Sequence, residues 1–373
     1  MTSNALAGSS VPVAPAAKAK GGHFHIPSLD GMRAISFLIV FLSHAGLKGK
    51  VPGYFGLSVF FFLSGYLITT LLRLEFEKNQ DISLKQFYLR RVFRILPPFY
   101  FVLFAAYALT ALGACPGTLS ASAIVAQCFH YINYYIVDHG WWEGIAPGTW
   151  VYWSLAVEEH FYLVFPLVYL WLRKRGLSAS EQALALLGIC ALVLAWRCVL
   201  VFMLDAPKDR MYVASDTRVD SIIAGCLLAI WQNPVLDKHG PSDKKLGLVW
   251  LPLGGLMVVA SLVIRRPDFE QSFRYTLQSF GLLPFFVAVI RWHDRFPFTL
   301  LNSRPAKYLG VLSYSMYLTH TMVIWGIDER THLPNVVRAV LSFVIVLTAA
   351  AGIHRFIEKP FGRLRRRFGS AEA

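Results

Sequence analysis

Arg33 and His44 stand eleven residues apart in LDGMRAISFLIVFLSHA, a segment that is otherwise almost wholly apolar. On a helix that spacing is three turns and about 20° over, so both side chains share one face, about 16 Å apart. A guanidinium at one end of such a face can clamp an anion, and a deeper imidazole can exchange a proton. Plainer readings exist for both. Arg33 can be a surface-seeking anchor paired with Asp30 one turn back, and His44 a hydrogen-bonded packing residue. In LKQFYLRRVFRILPP, Arg91 and Arg94 are three apart and share a helical face. Two guanidiniums facing one way suit a phosphate, although the same charges also serve as ordinary membrane-flank residues or lipid-headgroup contacts.

Glu158 and Glu159 fall in GTWVYWSLAVEEHFYLVFP, near one end of an apolar stretch. Adjacent helical residues diverge by about 100°, so one of the two is expected to face a site. A partly desolvated carboxylate can act as a general acid or base, or stand as a structural partner for a buried arginine. Arg218 and Asp220 read as an ion pair closing a helix end. Ser313, Tyr317 and His320 recur at four and three residues and form one polar stripe, which more often joins helices than performs chemistry. Gly53, Gly56, Ser64 and Gly65 permit close helix approach on the same grounds.

These residues need elements that hold them in an apolar medium, and composition says which. Of 373 residues 55% are hydrophobic and 16% charged, well short of the usual charged quarter of a soluble domain. The apolar residues come in blocks of about twenty, the length that crosses a bilayer. The expected fold is therefore all-α, a polytopic membrane helix bundle with about ten transmembrane helices. The candidate spans are about 31–47, 54–74, 95–114, 150–172, 182–204, 218–232, 247–264, 275–292, 308–327 and 335–354. Residues 1–25, rich in Ala, Ser, Pro and Gly, read as a disordered cytoplasmic tail without the apolar core of a signal peptide. The membrane domain is expected over 26–360 and a basic cytoplasmic tail over 361–373.

The net charge of +14 gathers at the ends of the apolar blocks, which marks topology and not nucleic-acid binding. Lys and Arg crowd the stretches around 73–94, 173–175, 238–245, 291–307 and 363–367, while 115–149 holds neither. Arg265, Arg266 and Arg274 run against the rule, but the balance puts both termini in the cytoplasm. Cys115 and Cys128 flank the outer loop and can form a disulfide there. Neither a CxxC pair nor a metal-spaced Cys/His cluster occurs, so no metal and no permanently bound cofactor is expected.

Taken together these segments resemble acyltransferase family 3, the bacterial membrane O-acyltransferases, from about Leu29 to Arg367. LDGMRAISFLIVFLSHA is similar to the family's opening Arg and His motif. GLSVFFFLSGYLI is similar to its second-span signature, and RVFR to its Arg-x-x-Arg pair. WSLAVEEHFY resembles its WSL-x-VEEQFY segment, with His160 in place of Gln. TRVDSIIAG, LSYSMYLTH and IEKPF match later landmarks. The resemblance implies a bacterial inner-membrane enzyme that moves an acyl group, most commonly acetyl, from cytoplasmic acyl-coenzyme A to a hydroxyl of a glycan or other acceptor. It makes His44 the transfer base, with Glu158 and Glu159 activating or orienting the acceptor, and Arg33, Arg91 and Arg94 binding the donor. Arg218, Asp220, Ser313, Tyr317 and His320 become supporting residues. Some members carry a fused hydrolase-like domain after the membrane part. This sequence ends at Ala373 without one, so direct transfer or a separate relay partner is expected. Competing readings are a secondary transporter using the buried charges as a proton relay, and a non-catalytic membrane protein.

The charge asymmetry makes a direct prediction. In a Cys-free background, a cysteine at Gly140 reacts with an impermeant thiol reagent in whole cells, with any outer membrane permeabilised. One at Ser242 reacts only after the inner membrane is opened. The reverse labelling pattern inverts the topology.

Overall fold

The computed structural model describes residues 26, 28–47, 49–238, 240–365 and 367. The proposed tail 1–25 lies outside them, as do 366 and 368–373. The described residues are 78% helical, and no strand occurs among them. With no water in the hydrocarbon layer, helices are the one open-chain way to satisfy every backbone group.

Three helices open the bundle: α1 (Leu29–His44), α2 (Gly53–Asn79) and α3 (Leu84–Ala111). The loop that follows carries α4 (Ala121–Cys128) and α5 (Ile132–His139). Then come α6 (Trp153–Lys174), α7 (Ala179–Phe202), short α8 (Lys208–Val213) and α9 (Ser215–Ile230). The last part comprises α10 (Asp243–Lys245), α11 (Leu251–Val263), α12 (Pro267–Gln271), α13 (Arg274–Arg291), α14 (Arg304–Asp328), α15 (Asn335–Ile353) and α16 (Lys359–Arg365).

Each expected span is a helix, but the count of ten crossings is not confirmed. Six described stretches are long and apolar enough to cross a membrane: Gly53–Asn79, Leu84–Ala111, Trp150–Lys174, Ala179–Phe202, Asp243–Val263 and Asn335–Arg365. The other four differ for physical reasons. α1 and α9 have only 16 residues each, and α13 and α14 carry Arg, Gln, Ser, Thr or His along their length. Together the six stretches still make this an integral membrane protein.

Burial separates the centre of the bundle from its rim. The most apolar window of α2 is 78% buried, whereas that of Asp243–Val263 is 17% buried and that of Asn335–Arg365 is 22% buried. α2 therefore spends its apolar surface on other helices. α11 and α15 turn Leu256, Val259, Val336 and Val340 outward, as lipid-facing helices do.

Close crossings at glycine hold the centre. A Cβ on Gly65 of α2 would lie 1.9 Å from the Ile222 carbonyl oxygen of α9, and one on Gly225 would lie 2.0 Å from that of Phe62. The two backbones touch, and no other residue fits at either place. Gly310 of α14 meets the Asp30 backbone of α1 in the same way. Gly53 and Gly56 do allow the close approach to α1 expected of them.

The outer-loop expectation gains detail. α4 and α5 fold back on the bundle, with Trp141 against Tyr212 and the Tyr134 hydroxyl donating to Asp216 at 3.1 Å. Cys115 and Cys128 are free thiols, so the disulfide is not formed.

Candidate active site

A cavity of about 730 Å³ opens between α1, α2, α3, α6, α14 and α16. Its size suits a ligand of cofactor dimensions. Arg33, Arg91, Arg94, Glu158 and Glu159, gathered from three separate helices, all line it. The expectation that one glutamate turns away is corrected, since both reach the cavity wall.

Each group is held differently. Arg33 donates to Asp30 at 2.9 Å, so the pairing foreseen for it exists and coexists with its place in the cavity. The Arg91 guanidinium lies 5.0 Å from the centre of the Tyr162 ring, a cation–π contact. Tyr162 in turn donates to Glu158 at 3.0 Å and shares a short hydrogen bond with Ser64 of α2. Ser64 thus does more than permit close packing. His160 bonds Ser215 of α9 at 2.6 Å and ties α6 to α9.

α16 overlaps the segment expected to be a basic tail. Instead Lys359, Arg363 and Arg365 line the same cavity, and Phe361 stacks on Phe93 of α3. The cavity wall therefore carries six cations, with Asp30, Glu158, Glu159 and Glu358 as its carboxylates. Glu358 is engaged by Ser315 and by His354, the latter at 2.7 Å. Sequence patterning misses Tyr162, Tyr314 and the α16 cations as cavity residues. Only the basic run at 359–367 signals any of them, and by position it reads as topology.

His44 stands apart from this group. Expected deep in its span, it is the last residue of α1, at the end opposite Arg33, and is exposed. Helix α1 is too short to bury it. Its Nδ1 lies 3.1 Å from Nε2 of His320, which is fully buried on α14. His320 Nδ1 lies 2.7 Å from the Tyr317 carbonyl oxygen. A carbonyl only accepts, so His320 carries its hydrogen on Nδ1 and its Nε2 is the acceptor. With both rings neutral, His44 donates through Nδ1 and its lone pair sits on Nε2. That is the tautomer a base needs.

The polar stripe on α14 joins the two places. Ser313 and Tyr317 line the cavity, whereas His320 does not. The Tyr317 hydroxyl bonds Ser154 of α6 at 2.6 Å, and its ring lies 5.3 Å from the His320 ring. From the cavity, Tyr317 leads to His320 and His320 to His44.

The supposed Arg218–Asp220 ion pair is not made. Asp220 is gripped by Arg197 of α7 through two hydrogen bonds, at 3.1 and 2.7 Å, and accepts a third from Thr276 at 2.7 Å. Neither member of the Arg197–Asp220 pair has exposed side-chain surface. Two residues apart on a helix, Arg218 and Asp220 point to different neighbours. Arg218 goes among the rings of Phe61, Trp153, Tyr212 and Tyr275, the last only 3.8 Å away. Arg197 is a further residue that the sequence expectations omit, although a lone Arg within ALVLAWRCVLVF is a visible signal.

Comparison with known proteins bears on this geometry. A family model described as an acyltransferase domain matches residues 26–355. The chain is 30% identical over 352 residues to the peptidoglycan O-acetyltransferase OatA of Listeria monocytogenes, across 90% of this chain and 56% of that protein. It is 29% identical over 348 residues to the O-acetyltransferase OatA of Staphylococcus aureus, across 90% and 57%. The putative peptidoglycan O-acetyltransferase YrhL of Bacillus subtilis is 28% identical over 357 residues, across 91% and 55%. The chain thus spans a little over half the length of the curated relatives it matches. No solved structure matches it.

The buried pair supplies a prediction. Arg197→Met leaves Asp220 charged and buried, which costs roughly 3–5 kcal/mol. Arg197→Met combined with Asp220→Leu removes both charges and recovers most of that loss. Unfolding midpoints of the purified variants in detergent check it. A double variant no more stable than the single one contradicts the assignment.

Proposed function

Because the chain belongs to the acyltransferase family that the match over residues 26–355 defines, we propose that it acetylates a glycan of the peptidoglycan type, with acetyl-coenzyme A as donor. The observation that carries this reading is the convergence of Arg33, Arg91 and Arg94 on one cavity whose wall continues to Ser154 and Tyr317. Coenzyme A carries its charge on phosphates, and planar guanidiniums grip phosphate oxygens in pairs. On the orientation set by the basic loops, the arginine end opens to the cytoplasm and the His44 end faces outward. A donor held by its phosphates then directs its thioester toward Tyr317.

The chemistry is one acyl transfer. The acceptor hydroxyl oxygen attacks the thioester carbonyl while His44 Nε2 takes its proton. The carbon–sulfur bond breaks, the acetyl group stays on the sugar oxygen, and the thiolate leaves and regains a proton. His320 serves as a positioning residue that fixes the His44 tautomer. The Tyr317 and Ser154 hydroxyls, bonded to each other and to the Val151 carbonyl, form the polar wall at this end of the cavity. Glu158 and Glu159 balance the cavity arginines and stand ready for proton exchange.

Two sets of variants test this. His44→Ala lowers kcat by roughly 10²- to 10⁴-fold in a protein that remains folded. Arg91→Ala and Arg94→Ala instead raise KM for acetyl-coenzyme A, and lysine at either place restores it only in part, since a point charge loses the two-pronged grip. Near-normal turnover by His44→Ala removes the imidazole from the role of base. An unchanged donor KM in both arginine variants removes Arg91 and Arg94 from donor binding.

A further inference from the structure

The cations of the cavity fall into two groups. Arg33, Arg91 and Arg94 come from α1 and α3, whereas Lys359, Arg363 and Arg365 come from α16. The groups differ in their state. Arg33 is paired with Asp30, and Arg91 lies on the Tyr162 ring. Lys359 and Arg363 are exposed at the cavity rim, and neither makes an ion pair with a described residue.

The face that carries these two cations is open. Lys359 and Arg363 stand four residues apart with Gly362 beside them, so all three share one side of the helix. All three line the cavity. A Cβ on Gly362 would meet nothing within 4 Å, unlike one on Gly65, Gly225 or Gly310. Helix packing therefore does not explain this glycine. It leaves bare backbone between two accessible cations.

α16 is also held in place. Glu358, just before it, is bonded to Ser315 of α14 and to His354. Phe361 lies nearly opposite the cationic face and stacks on Phe93 of α3, with ring centres 6.4 Å apart. The cations thus reach the cavity from a docked helix.

Coenzyme A carries phosphate at two places. A diphosphate joins the pantetheine arm to the adenosine, and a phosphomonoester sits on the 3′ oxygen of the ribose. A monoester holds close to two negative charges near neutral pH and offers three free oxygens. It belongs to the adenosine, the end remote from the thioester. A donor whose thioester points toward Tyr317 keeps that end at the rim, where the unpaired cations stand.

We propose that the face of α16 made by Lys359, Gly362 and Arg363 receives the 3′-phosphate of the donor, and that it makes the protein select coenzyme A thioesters over their dephospho forms. Gly362 leaves room for the ribose against the helix, while Arg33, Arg91 and Arg94 take the diphosphate. The proposal rests on the acyl-coenzyme A reading and adds which part of the donor is discriminated and by which residues.

The test uses the full chain in nanodiscs of phosphatidylcholine, a lipid without net charge. Calorimetry without acceptor compares acetyl-coenzyme A with acetyl-3′-dephospho-coenzyme A. The parent donor is expected to bind roughly 5- to 30-fold tighter, the scale of one or two ion pairs at an accessible rim. That advantage shrinks as salt is raised. Lys359→Gln combined with Arg363→Gln brings the ratio close to one by weakening the parent donor alone. Arg363→Lys keeps part of it. Both positions are exposed, so the variants retain the fold. Wild-type protein that binds the two donors alike overturns the proposal and leaves the acyl-coenzyme A reading standing. A ratio unchanged in the double variant overturns it as well and returns the α16 charges to the membrane surface. Binding of neither donor overturns both, so the failure of the proposal and that of the donor reading are told apart.

Discussion

A guanidinium placed among apolar helices must find an acceptor, an aromatic face or a way to a polar cavity, because no bulk water is there to solvate it. Arg197 takes the first solution with Asp220, and Arg274 does so with Glu270. Arg218 takes the second, within four rings. Arg33, Arg91 and Arg94 take the third, around the cavity. These placements organise the bundle. The Arg197–Asp220 pair and Thr276 bind α7, α9 and α13 into one unit, while the Arg218 cage adds α2, α6 and α8. Contacts at Gly65 and Gly225 then bring α2 against α9 closely enough for the cage to close.

Much of this is legible in the sequence because the costliest residues are the easiest to see. Arg91 and Arg94 share a face by spacing alone, and that face does meet the cavity. The helices themselves follow from apolar blocks of spanning length. What spacing does not supply is the partner. Asp220 stands two residues from Arg218 but pairs with an arginine that is 23 residues distant. His44 and His320, 276 residues apart, meet only because Gly310 lets α14 lie on the α1 backbone. A reading limited to one helix at a time finds neither pair.

The depth of His44 escapes the sequence for a related reason. The apolar block runs on to Leu47, yet the helix stops at His44. Gly46 follows with a φ of +98°, a conformation that ends a helix and suits glycine. The imidazole is thereby left exposed at the helix end.

Two chemically different ends result, one of clustered cations and one of paired imidazoles, with Tyr317 between them. In the proposed function a water-soluble donor and a large glycan never share a compartment, and the protein supplies the connection. The most direct measurement places radiolabelled acetyl-coenzyme A on one side only of sealed vesicles of known orientation, with the glycan acceptor on the other. The account predicts labelled glycan only when donor is on the arginine side and acceptor on the His44 side. Labelling that requires both substrates on the same side would contradict it.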